Sequence, residues 1–116
     1  MATMTPRQRL EAVFAGRVPD KVPPFELVFQ IPEIAFSRPW PTGDDMQKAS
    51  PAERKRLRGE HFEICELILD RYGWAAMDFG TSLHGYFDGE IIPEARRRFG
   101  ERIMLYGFNG SGTYWM

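Results

Sequence analysis

The sequence predicts an α/β fold built on a parallel sheet. Short apolar runs bounded by proline and glycine read as buried strands, capped segments with apolar residues at helical spacing read as helices, and the two kinds alternate. Thr5 is a good N-cap, Pro6 suits the first helical position, and Gln8 stands where a capping box needs it. Leu10, Val13 and Phe14 give that first helix one apolar face, and Gly16 is placed to end it. Prolines 19, 23 and 24 then fix φ and remove donors, which predicts a rigid turn leading into a strand over residues 25–29. Residues 30–49 carry Pro32, Pro39, Pro41 and Gly43 and read as a long loop with one helical turn near Ile34. Ser50, Pro51 and Glu53 repeat the cap pattern and open a helix along Leu57, His61, Ile64, Cys65, Ile68 and Tyr72, closed by Gly73. Residues 74–79 and 103–106 read as two further strands, with a short helix over 93–99 stopped by Gly100 between them.

Composition bounds the function classes. At 43% hydrophobic and 27% charged residues, the 116-residue chain has enough apolar material for one core and is too apolar for a disordered segment. A formal net charge of -1 gives no basis for nucleic-acid or anionic-membrane partners. Cys65 stands alone, so no internal disulfide forms, and the reducing cytoplasm is the expected compartment. The opening residues contain no signal-peptide core, and no apolar run is long enough to span a bilayer. The chain stops on Gly112-Thr113-Tyr114-Trp115-Met116, directly beyond the third expected strand, and so reads as the front part of a larger enzyme.

Two stretches carry a resemblance. Met4-Thr5-Pro6-Arg7-Gln8-Arg9-Leu10, followed by Ala15-Gly16 and by Pro19-Asp20-Lys21-Val22-Pro23, is similar to the N-terminus of the uroporphyrinogen decarboxylase superfamily. Phe99-Gly100-Glu101-Arg102-Ile103 and Gly107-Phe108-Asn109-Gly110 resemble that family's approach to a central strand. The resemblance implies the N-terminal part of a (β/α)8 barrel, with the N-terminal helix and about three of its parallel strands; a whole barrel needs about 250 residues. It implies a small-molecule substrate, either a tetrapyrrole decarboxylated without a cofactor or a methyl-corrinoid whose methyl group passes to a zinc-held thiol. Zinc and corrinoid are implied only for the second branch, whose ligands belong to a later part of the barrel. The decarboxylases carry an arginine-rich motif just after strand one. Here that region reads Val28-Phe29-Gln30-Ile31-Pro32-Glu33-Ile34, with no arginine before Arg38, so binding of an octacarboxylate lacks its guanidinium partners.

In such a barrel, catalytic groups sit at the C-terminal ends of strands. Alternation along residues 25–29 places Phe25, Leu27 and Phe29 toward the helices and leaves Glu26 and Gln30 toward the lumen, with Gln30 at the strand's end as a substrate-binding candidate. Asp78 ends the second strand among Ala76, Met77 and Phe79, roughly where the decarboxylases place their aspartate, and offers a catalytic carboxylate or a structural hydrogen bond to the next loop. His84, near Thr81 and Ser82, offers a proton shuttle or a plain loop histidine. Asn109 and Gly110 sit in a glycine-rich stretch that lets an anion approach backbone amides. His61 and Cys65 stand four apart on one helix face, but no third metal ligand accompanies them, and packing is their expected role. The basic runs Arg54-Lys55-Arg56-Arg58 and Arg96-Arg97-Arg98 are balanced by Glu53, Glu60, Glu63 and Glu94 and read as solvated helix faces. A rival expectation from another class is a small binding module that presents Phe36, Trp40, Tyr114 and Trp115 as exposed anchors. An open sheet edge, if the barrel is incomplete, predicts self-association.

Overall fold

The computed structural model describes residues 3–26, 29, 31–78 and 90–106. Its elements run α1 (Pro6–Phe14), α2 (Pro32–Phe36), α3 (Gly43–Lys48), α4 (Pro51–Tyr72), β1 (Ala76–Asp78), α5 (Ile91–Phe99) and β2 (Met104–Tyr106). The helix ends follow local chemistry. In α1 the Thr5 hydroxyl accepts from the Gln8 amide while the Gln8 side chain accepts from the Thr5 amide, a complete capping box. In α4 the Ser50 hydroxyl accepts from the Glu53 amide, and Gly73 ends the helix in the left-handed conformation with φ 63°. The return half of that second box is replaced by an ion pair, because Arg56 draws the Glu53 carboxylate outward.

Residues 31–49 hold more helix than their prolines suggest. Pro32 opens α2, which leaves its donor-free nitrogen where no helical partner is needed. Thr42 and Asp45 form a second complete capping box and nucleate α3, which places Met46 wholly inside the core. The Thr42 amide donates to the Asp45 carboxylate and, with the Thr42 hydroxyl, holds that carboxyl below the usual carboxylate range.

The expected strand over 25–29 departs from the prediction at every described position. Phe25, Glu26 and Phe29 lie in no strand, and the sheet among the described residues has two strands. Pro23 and Pro24 bring no N–H groups, and the Phe29 carbonyl is taken by the Trp40 indole N–H at 2.6 Å instead of by a neighbouring strand. The side chains do not alternate as a strand would require. Phe29 is buried in the aromatic group formed with Phe36, Tyr72 and Trp74, whereas Phe25 is half exposed and edge-on to Tyr106 at 6.1 Å. The chain still enters the sheet region here, because the Pro24 carbonyl accepts from the Ala75 amide at 2.8 Å.

β1 and β2 pair in parallel, with Ala76 opposite Met104, Met77 opposite Leu105 and Asp78 opposite Tyr106. The connection between them contains α5, the helical crossover that parallel pairing demands. The two faces of the sheet meet different partners. Met77 and Leu105 join the main core, where Phe62, Ile68, Phe99 and Ile103 close over them. Ala76, Met104 and Tyr106 lie on the opposite face with Leu10 of α1.

Candidate functional site

Two arginines of the resemblance-bearing segment turn out to fasten the fold. The Arg7 amide donates to the Arg102 carbonyl at 2.9 Å, and its guanidinium donates to the carbonyls of Gly100 and Ile103 at 2.5 and 3.4 Å. Those carbonyls lie at the end of α5 and the entry to β2, so α1 is tied across the start of the sheet. Arg9 is buried, and its guanidinium grips Asp20 through Nε at 2.6 Å and a second contact at 3.3 Å. Asp20 also accepts from the Met4 amide at 3.4 Å, which pins the proline-rich turn back onto α1. The hydrogen bonds from Arg9 hold the Asp20 carboxyl below its ordinary range. Sequence reasoning read these positions for their caps and missed their tertiary targets. The spacing of Arg9 on the helix and an acid eleven residues later was the available signal.

At the other end of the strands the geometry gathers polar groups. Period-two alternation puts the half-buried Asp78 on the same face as Ala76, away from α4 and α5. Its register partner Tyr106 points to that face as well. Burial, and after it the Asp78 charge, push the Tyr106 phenol up to about 12. The phenol therefore stays protonated across the physiological range and keeps its O–H as a potential donor. Phe25 leans its ring edge on Tyr106 and supplies an apolar wall. Tyr106 is a candidate that sequence reasoning missed, because only the strand register places it beside Asp78. Gln30, His84, Asn109 and Gly110 lie outside the described residues, as do Tyr114 and Trp115.

The other candidates resolve into packing. His61 and Cys65 are both enclosed in the core, and burial pushes the Cys65 thiol well above its ordinary value, so no thiolate is on offer. Among the described residues no group of three metal-ligating side chains exists. Phe36 and Trp40 are not exposed anchors. Both pack against the main core, and the Trp40 ring lies 4.7 Å from that of His61. The basic runs are engaged by carboxylates: Arg56 by Glu53 and Glu60, Arg97 and Arg98 by Glu94, and Arg58 by Glu90 at 2.9 Å. Glu63 is taken by Arg38 instead, at 2.6 Å. No described helix is long and apolar enough to cross a membrane. No family model matches the chain, and no curated protein or solved structure does.

Proposed function

We propose that this chain forms the N-terminal staves of a (β/α)8 barrel of the uroporphyrinogen decarboxylase type, with its substrate held over Asp78 and Tyr106. The observation that carries the reading is the placement of these two side chains at the C-terminal ends of adjacent parallel strands, on the face opposite α4 and α5. That is the position from which barrel enzymes act on their substrates. The Ala75 amide also donates to the Pro24 carbonyl and the Ala75 carbonyl accepts from the Met104 amide, so the proline-rich segment and β2 both meet the entry to β1. The α1 helix, clamped by Arg7 and covering the opposite end of the same face through Leu10, fits a closure of the barrel's bottom.

Between the family's two branches, methyl transfer is the better fit. Arg38, the first arginine after the expected first strand, is committed to Glu63 and is not placed to neutralise a polycarboxylate. Zinc, which that branch uses to hold its thiol, finds no ligand set in the described residues: His61 and Cys65 are core groups. What this chain contributes is a carboxylate acceptor and a protonated phenol donor, suited to orienting a substrate that offers an N–H or O–H beside an acceptor.

The test is a pair of assays on the full-length gene product: carbon dioxide release from uroporphyrinogen, and methyl transfer from methylcobalamin to a thiol. Methyl transfer is expected, with Asp78→Ala lowering its rate at least about 100-fold. Full activity of Asp78→Ala, or a folded protein inactive in both assays, overturns the reading.

A further inference from the structure

On the helix side of the sheet, α4 and α5 wall a surface cleft of about 700 Å³ whose lining includes neither Asp78 nor Tyr106. That volume is within the roughly 300–1,000 Å³ range of small-molecule sites. From α4 it is lined by Lys55, Arg58, Gly59 and Phe62, which share one face by their spacing of three and four. From the α5 side it is lined by Glu90, Pro93, Glu94 and the adjoining Arg97 and Arg98. Counting those side chains, four cations face two carboxylates, so the lining carries an excess of two positive charges.

Gly59 is the second observation, and it is independent of charge. It sits within a 22-residue helix, where glycine is less favourable than alanine. A Cβ built there meets no atom within 4 Å, so nothing in the described chain demands its absence. A bare backbone in the lining of an open cleft lets an occupant approach closely. Arg58, whose side chain is only 15% exposed, bridges from α4 to the much more exposed Glu90 at 2.9 Å, both in the lining of the cleft. A bound anion competes with Glu90 for that guanidinium fork, whose geometry matches phosphate and carboxylate alike.

We propose that this cleft is a binding site for a small organic dianion, seated over Gly59 and held by Lys55, Arg58 and Arg97. The two charges of the ligand answer the surplus of the lining. The site is separate from the reading of Asp78 and Tyr106, and neither requires the other.

Calorimetric titration with phenyl phosphate, succinate and benzyl alcohol tests it, the last as a neutral control. Saturable one-to-one binding of phenyl phosphate or succinate is expected, and comparison of the two assigns phosphate or carboxylate preference. Gly59→Leu should abolish it by filling the cleft while leaving the melting temperature unchanged or higher, since leucine favours the helix and its Cβ meets no atom within 4 Å. Lys55→Ala, at an exposed position, should weaken binding by about tenfold. No saturable binding of either dianion, equal binding of benzyl alcohol, or full binding by a folded Gly59→Leu variant overturns the proposal.

Discussion

Replacing Trp40 separates a packed connecting segment from an exposed docking loop. The Trp40 indole N–H donates to the Phe29 carbonyl at 2.6 Å, and its ring packs beside His61 and against the main core. Trp40→Phe keeps an aromatic ring but removes the donor, leaving the carbonyl of a buried residue without that partner. Such a loss costs about 1–3 kcal/mol. Trp40→Ala removes the ring as well; a large-to-small core change of this kind costs about 3–5 kcal/mol, and the half-buried setting of Trp40 places it toward the low end. For a domain of this size each kcal/mol lowers the melting temperature by roughly 4–8 °C. Thermal melts followed by far-ultraviolet circular dichroism should therefore show Trp40→Phe at least about 4 °C below the parent, with Trp40→Ala lower still. If both variants melt with the parent, Trp40 contributes nothing to the fold and the exposed-anchor expectation returns. If phenylalanine costs as much as alanine, the hydrogen bond carries the whole effect and the packing argument fails.

Three further outcomes are expected. The Asp20 carboxyl titrates below its unfolded value of about 3.9, so the Arg9 pair stabilises the fold above that pH and loses its contribution as pH falls through the folded value. Urea midpoints of Asp20→Asn should be lower than the parent's at neutral pH and converge with them in acid; a constant gap refutes the assignment. Asp78→Asn removes the negative charge that opposes phenolate formation, so the Tyr106 titration should fall from about 12 yet remain above the ordinary tyrosine value, because burial is the larger cause. Ultraviolet difference titration, with Tyr106→Phe to identify the signal among the four tyrosines, reads this directly, and an unchanged or raised value contradicts the shared face. Gly73→Ala should destabilise by about 1–2 kcal/mol through left-handed strain alone, since a Cβ there meets no atom within 4 Å. Denaturant unfolding checks it, and a neutral result removes Gly73 as the stop of α4.

Helix boundaries were legible in the sequence because caps are local events. Thr5, Pro6 and Gln8 act within one turn, and so do Ser50, Pro51 and Gly73. The Thr42 and Asp45 box of α3 was equally local, but the prolines around it drew the reading toward a loop. The stripe that enclosed His61 and Cys65 was visible for the same reason, as helical periodicity fixes a face without reference to any neighbour. The failure over residues 25–29 is instructive by contrast. An apolar pentapeptide after prolines satisfies strand composition, yet whether its carbonyls pair with a strand or with an indole depends on where Trp40 arrives, and that is decided by packing.

By itself, then, the sequence determined which segments coil, where they stop and which residues are apolar enough to be buried. Only the tertiary structure decided that Arg7 closes on Gly100, that Arg9 holds Asp20, and that Tyr106 stands beside Asp78. The physical reason is range. Caps and periodicity act over three or four residues, whereas strand register and guanidinium partners bring together groups that are distant along the chain. Their pairing is set by the free energy of the whole core, which no short segment carries.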